Sequence, residues 1–252
     1  MTVNFLKLSF FTKGEQVKLR KEYFPVQNID QTNSKNLKYM LCPLCDTPLE
    51  SRADKYYFIC STCGAYVRDK KYHVTNEREK QRYLEHNNDI HDEAYQNFTS
   101  PITNTILQKF TAGHSGLDYG CGTSPVITKN LRENGYNVKL YDPYFYPDKD
   151  NLENNYDYIF SCEVFEHFND PKSEINKLIS ILKPEGYLII MTHLYNEKIP
   201  FAKWYYRNDD THVFIYTLKT IKYIEKTFDL RVEKIDKKLI IFKHTAASTS
   251  SI

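Results

Sequence analysis

Two clusters in this sequence have the residue types and spacing for chemistry. The first is Cys162-Glu163-Val164-Phe165-Glu166-His167-Phe168, in which Glu163, Glu166 and His167 stand at i, i+3 and i+4. On a helix those positions share one face, so the spacing predicts three polar groups aimed at one spot. The second is a pair of C-x-x-C turns, Cys42-Pro-Leu-Cys45 and Cys60-Ser-Thr-Cys63, separated by fourteen residues. Four thiolates complete the tetrahedral shell of a Zn2+ ion and leave no open position, so the expected role is structural. Cys121 and Cys162 lie outside these pairs. Nothing basic is beside either in sequence, so both read as small buried residues rather than nucleophiles.

The two cysteine turns need a scaffold. "KYYFIC" reads as a strand returning to the second turn, and the whole of residues 38–70 resembles a zinc ribbon. A segment of this size has too little core to fold without its metal. Lys55, Tyr56, Tyr57 and Phe58 either cover that small core or offer a stacking surface to a nucleic acid.

The acid–histidine cluster also needs positioning. Asn76 and Glu79 suit a capping box, and residues 76–110 have helical composition. "HSGLDYGCGTSP" follows: a strand ending near Asp118, a tight turn at Gly120 and Gly122, and a helix with Pro125 in its first turn. "NVKLYDP" is a second strand ending in Asp142. A strand, a glycine turn, a helix and an acid at the next strand's end form a nucleotide-site architecture. "YDYIFS" is a buried strand leading straight into Glu163. Asp170 and Pro171 start a helix whose apolar face is Ile175, Leu178, Ile179 and Leu182, and "YLIIMT" is a further strand. "TLKTIKYIEKTF" is a last helix, with "LRVEKID" and "KLIIFK" pairing as a hairpin.

"LDYGCGTSP", "YDP", "YDYIFSCEVFEHFNDP" and "LKPEGYLIIMT" together resemble class I S-adenosylmethionine-dependent methyltransferases. The resemblance covers residues ~75–245. It implies an α/β fold, a Rossmann-like sheet with helices on both faces, following the small N-terminal ribbon. It assigns Asp118, Gly120, Cys121 and Gly122 to the methionine part of S-adenosylmethionine and Asp142 to its ribose, with Pro143 and Tyr144 bordering the adenine. One departure is visible: only fourteen residues, 143–156, separate Asp142 from Asp157, so the usual third strand is short or missing. The family's adenine-contacting acid is therefore not placed. A Rossmann dehydrogenase would need G-x-G-x-x-G, and position 125 is Pro.

The E-x-x-E-H pattern is similar to that of two groups in the family, the ubiquinone-biosynthesis O-methyltransferases and the enzymes that methylate the terminal 2′-hydroxyl of small RNAs. The second group implies a divalent metal held by Glu163, Glu166 and His167 with a distant histidine, for which His212 in "WYYRNDDTHVFIYT" is the candidate. Mixed Glu/His ligands suit Mn2+, Fe2+, Co2+ or Zn2+ better than Mg2+. Two other roles stay open: His167 as a metal-free general base oriented by Glu166, or a structural pairing. His193 ranks below His212. Trp204, Tyr205, Tyr206 and Arg207 form either a substrate wall or loop packing, and His86, Asn87 and Tyr95 are placed near the cofactor by fold analogy alone.

The 252 residues divide into an N-terminal extension (1–37), the ribbon (38–70), the methyltransferase domain (71–246) and a flexible tail (247–252). No segment approaches ~18 consecutive apolar residues and the N-terminal apolar patch is too interrupted for a signal peptide, so a soluble cytoplasmic protein without a membrane span is expected. A net charge of +2 lacks the basic bias of a dedicated nucleic-acid binder. The expected partner is a small polar methyl acceptor with neighbouring hydroxyls. The alternatives are an RNA 2′-hydroxyl gripped by the ribbon, and a non-catalytic module that keeps the fold. Nothing in the sequence specifies an oligomeric state.

Overall fold

The computed structural model describes residues 39–85, 89 and 91–245. The extension 1–37, His86, Asn87 and the tail 247–252 lie outside the described residues. From Tyr39 onward the described residues belong to one compact unit.

Short strands β1 (Ser51–Arg52), β2 (Tyr57–Ile59) and β3 (Tyr66–Arg68) form an antiparallel meander between and after the cysteine turns. Helices α1 (Asn76–Glu85) and α2 (Glu93–Lys109) follow. Thr75, one residue before the expected cap, accepts from the Arg78 N–H. The second half of the chain alternates strand and helix: β4 (Ser115–Tyr119), α3 (Val126–Glu133), β5 (Asn137–Tyr141), β6 (Tyr156–Cys162), α4 (Pro171–Ser180) and β7 (Leu182–Met191). It ends with β8 (Phe214–Ile215), α5 (Leu218–Thr227), β9 (Leu230–Asp236) and β10 (Leu239–His244).

The main sheet has six strands in the order β5-β4-β6-β7-β10-β9. The first four are parallel, and β10 runs antiparallel to both neighbours. Alternation along each strand divides the core in two. In β10, Ile240 and Phe242 face α4 and α5, with Ile175, Leu178, Ile221 and Ile224 packed on that side. Leu239 and Ile241 face α2 and α3, with Ile102, Ile106, Ile127 and Leu131. Helices therefore cover both faces, as the strand–helix alternation requires.

Between β5 and β6 the described chain adds no strand to this sheet. Residues 142–155 instead make one bridge, Asp142 to Tyr146, and a short 3-10 turn at Lys149–Leu152. That connection is too short for a helix and a strand.

The ribbon strands continue into the rest of the molecule. β3 pairs antiparallel with β8, giving a second sheet of order β1-β2-β3-β8. Tyr57 and Tyr66 of the ribbon share a buried cluster with Tyr195, Phe201, Trp204 and Tyr206.

Candidate active site

β4 and β6 end side by side at the same edge of the main sheet, and a cavity of about 770 Å³ opens there. Open α/β sheets bind ligands at this edge. Gly120, at φ 79°, is where the chain leaves β4; a Cβ there would meet Val164 at 2.5 Å. Gly122 has φ 63° and open space where its Cβ would be. These two positions need glycine, one for close approach and both for the left-handed backbone.

Asp142 ties the turn to β5. Its Oδ2 accepts from the Gly122 N–H at 3.0 Å, and its Oδ1 accepts from the N–H groups of Tyr144 and Phe145 at 2.8 and 3.1 Å. Gly120, Cys121, Gly122, Asp142, Pro143 and Tyr144 all line the cavity. Asp118 does not: it is buried behind the turn, where its Oδ2 accepts from Thr128 Oγ1 at 2.7 Å. Burial pushes its carboxyl up to about 7. Burial also raises the Cys121 and Cys162 thiols, which keeps them protonated and unreactive.

The acid–histidine cluster is not on one helix. Glu163 adopts φ 54°, its N–H donates to Met191 O at 2.7 Å, and only Phe165–His167 form a 3-10 turn. The bond to β7 holds Glu163 at the sheet edge before a helix can start, so the i, i+3, i+4 geometry is not reached. A non-glycine residue in the left-handed region costs ~1–3 kcal/mol and needs surrounding structure to hold it.

The side chains converge by another route. Glu166 is fully buried and accepts from Thr192 Oγ1 at 2.8 Å and from the Tyr206 hydroxyl. That hydroxyl also lies 3.2 Å from Glu163 Oε2, while Glu163 Oε1 is buried with no hydrogen-bond partner. Burial, then the neighbouring Glu166 charge, pushes Glu163 up to about 8. His167 turns Nδ1 onto Thr211 O at 3.0 Å, and His212 turns Nδ1 onto Tyr206 O at 2.7 Å. A carbonyl can only accept, so both rings carry a proton on Nδ1 and point Nε2 away from that carbonyl. Burial lowers His212 to about 4, which keeps it neutral.

Ligand atoms of Glu166, His167 and His212 lie within 4.8 Å of one another; Glu163 stands beside this group, outside it. Two imidazoles and a carboxylate, with the Glu163 carboxyl adjacent, are a fitting donor set for a divalent metal. At the other candidate centre, Sγ atoms of Cys42 and Cys63 are 3.6 Å apart and those of Cys45 and Cys60 3.3 Å. Sulfurs around Zn2+ at ≈ 2.3 Å would sit ~3.8 Å apart, so these thiols are close to the spacing the ion requires.

Helix α1 closes the cavity from outside with polar contacts. The hydroxyls of Tyr83 and Tyr144 donate to Glu79, and Arg82 pairs with Asp209 at 2.9 Å. Thr192 was not legible as a site residue, and the segment 204–207 suggested a substrate wall or loop packing without the Tyr206 bond to Glu166, because these roles arise from packing between distant segments. His193 stacks on Tyr206 at 4.7 Å and is not part of the ligand group. Trp204 is buried in loop packing, and Arg207 pairs with Asp54 of the ribbon at 2.5 Å.

A family model described as "Methyltransferase domain" matches residues 91–235, more than half of the chain. The chain belongs to this methyltransferase family. It is a class I S-adenosylmethionine-dependent methyltransferase. Similar solved structures include a putative sarcosine dimethylglycine methyltransferase from Galdieria sulphuraria, at 15% identity and TM-score 0.49 over 66% of this chain and 98% of that one. TehB from Haemophilus influenzae matches at 16% identity and TM-score 0.44, over 61% of this chain and 67% of that one. Phosphoethanolamine N-methyltransferase 2 from Haemonchus contortus, in complex with S-adenosyl-L-methionine, matches at 18% identity and TM-score 0.41, over 54% and 38%. No curated protein matches the chain. Among the described residues of this methyltransferase, no helix is long and apolar enough to cross a membrane.

Proposed function

We propose that this methyltransferase methylates oxygen on a small polar acceptor with neighbouring hydroxyls, at the centre formed by Glu163, Glu166, His167 and His212. The observation that carries this reading is the convergence of Glu166, His167 and His212 in the same cavity as the glycine turn. Beside them is a buried carboxylate oxygen, Glu163 Oε1, with no partner.

The cofactor seat consists of the glycine turn, Asp142, Pro143 and Tyr144. Bound S-adenosylmethionine would supply an activated methyl group on a sulfonium. Asp142 keeps oxygen lone pairs beyond its three backbone bonds and can accept from ribose hydroxyls. Glu166, His167 and His212 would hold a divalent metal, which when bound favours the deprotonated form of a chelating hydroxyl. His167 and His212 contribute Nε2 atoms, and Glu166 a carboxyl oxygen; the Tyr206 hydroxyl donates to Glu166 and lies 3.2 Å from Glu163 Oε2. Glu163 lines the same cavity and in its ionised form, reached above about pH 8, can take a hydroxyl proton as the C–O bond forms and the C–S bond breaks. Positioning supplies much of the rate in such a transfer.

A cavity lined by Glu79, Asp142, Glu163, Glu166, Asp170 and Glu174 repels a polyanion, which favours a small neutral acceptor over an RNA backbone. Cys42, Cys45, Cys60 and Cys63 would hold a structural Zn2+.

The test is transfer of labelled methyl groups from S-adenosylmethionine to panels of vicinal diols, matched mono-alcohols, amines and RNA, with and without Mn2+. Labelling of diols over mono-alcohols, dependent on metal, is the expected result. Labelling of amines alone, or of RNA with steep salt dependence, would overturn the reading.

A further inference from the structure

The ribbon reaches the acid–histidine centre through one hydroxyl. Tyr57, fully buried on β2, lies with its Oη 2.7 Å from the backbone carbonyl of His212. Arg68 Nη1, from β3, lies 3.2 Å from the same Oη. A guanidinium can only donate, so the Tyr57 oxygen accepts from Arg68 and its single proton goes to His212 O. The direction of this chain is therefore fixed: Arg68 to Tyr57 to His212.

Main-chain bonds run beside it. The Arg68 N–H donates to Val213 O at 2.8 Å, and the Val213 N–H donates to Glu166 O at 2.9 Å. These two main-chain bonds, next to the β3–β8 pairing, connect the ribbon, the residue after His212, and Glu166. The loop from Tyr206 to His212 has no regular structure beyond the 3-10 turn Tyr205–Asn208. His212 Nδ1 is held only by Tyr206 O, on the same loop. The orientation of Nε2 then depends on what fixes the loop. Part of that support comes from the ribbon through Tyr57, Arg68 and the Arg207–Asp54 pair, part from α1 through Arg82, and part from the site itself through His167 on Thr211 O and Tyr206 on Glu166.

We infer that Tyr57 is a positioning residue for the transfer centre, and that the cysteine-held ribbon works as an internal brace that aims His212. Of the ribbon's aromatic side chains, Tyr57 is committed to this role. Tyr57 packs edge-on against Phe201 at 5.2 Å, so it is not free to stack on a nucleic acid. This inference rests on the reading of Glu166, His167 and His212 as the transfer centre.

The test compares wild type, Tyr57→Phe and Arg68→Gln as full-length, zinc-loaded protein. Tyr57→Phe keeps the ring and its packing and removes the hydroxyl, and with it both the proton given to His212 and the acceptor for Arg68. Mn2+ titration is expected to show affinity at the acid–histidine centre weakened about 10-fold in Tyr57→Phe, the range seen when support behind a ligand is lost. S-adenosylmethionine affinity is expected to stay within about twofold, since neither residue touches the glycine turn. Unchanged Mn2+ affinity in both variants overturns the inference. If wild type binds no Mn2+ there, the metal reading fails separately, and the inference is decided by 15N NMR of the His212 ring, assigned by its loss in His212→Gln. A single Nδ1-protonated tautomer in wild type that becomes mixed in Tyr57→Phe supports the brace. An identical His212 spectrum in both overturns it. Arg68→Gln serves the same comparison should Tyr57→Phe fail to fold.

Discussion

The rings of His167 and His212 lie 4.9 Å apart at 71°, each with Nδ1 committed to a backbone carbonyl. Replacing either nitrogen donor leaves two ligands of three in the group with Glu166. His212→Gln and Glu166→Gln are each expected to abolish the second metal while leaving the zinc of the ribbon in place. Elemental analysis after dialysis against Mn2+ checks this: two metals per chain in wild type, one in either variant. Loss of both metals together would mean that the substitutions disrupt the fold rather than the site.

Tyr206 is expected to matter beyond packing. Its hydroxyl donates to buried Glu166 and lies 3.2 Å from Glu163. Tyr206→Phe keeps the ring between Trp204 and His193 but leaves a buried carboxylate short of a donor, at a cost of ~1–3 kcal/mol. Methyl transfer is expected to fall about 10- to 100-fold at unchanged cofactor affinity, since 1.4 kcal/mol is tenfold in rate. Equal activity of wild type and variant would remove Tyr206 from the account.

The proposed cofactor seat and the proposed transfer centre differ in how they can be read. The glycine turn and Asp142 sit in a contiguous motif, and their contact follows from the parallel pairing of β4 with β5. That the third strand would be short or missing was legible because fourteen residues barely hold a helix and a strand. Glu166, His167 and His212 were legible by type, but the helix expected to align them does not form, because Glu163 is drawn onto Met191 at the edge of β7. Thr192 left no local trace, and Tyr206 and Tyr57 were legible as aromatic candidates but not for their bonds to Glu166 and His212. Their roles depend on the fold bringing the loop before β8 between the ribbon and Glu166, which no spacing rule encodes.

The Asp142 carboxylate joins the glycine turn to the segment that borders it. Asp142→Ala is expected to weaken S-adenosylmethionine binding at least tenfold, about 1.4 kcal/mol or more, measured by calorimetry. It removes acceptors for three backbone N–H groups as well as the proposed ribose contact. Undiminished affinity would show that the cofactor is held elsewhere.

Asp118 gives a pH dependence with a definite sign. Its folded-state carboxyl titrates near 7 because of burial, against 3.8–3.9 in the unfolded chain. Between those values the folded state binds the extra proton, so stability falls as pH rises from ~4 to ~7, by an order of a few kcal/mol. Asp118→Asn keeps an acceptor for Thr128 and removes the titration. The apo protein's melting temperature is expected to drop more between pH 5 and pH 8 in wild type than in this variant. Parallel profiles would refute the assignment.

Zinc removal is expected to reach the active site. Cys60→Ala opens the thiolate shell, and a loss of about 3 kcal/mol corresponds to roughly 6–12 °C in melting temperature for a chain of this length. Zinc content and melting temperature should fall together; a stable, zinc-free variant with wild-type melting would contradict the structural role.

The most direct measurement is a crystal structure with S-adenosylhomocysteine and Mn2+, with the metal located by anomalous scattering. The expected result has the ribose on Asp142, the thioether sulfur facing Glu163, and Mn2+ on Glu166, His167 and His212. A nucleoside bound away from the Gly120–Gly122 turn, or a sulfur turned from these side chains, would contradict the account.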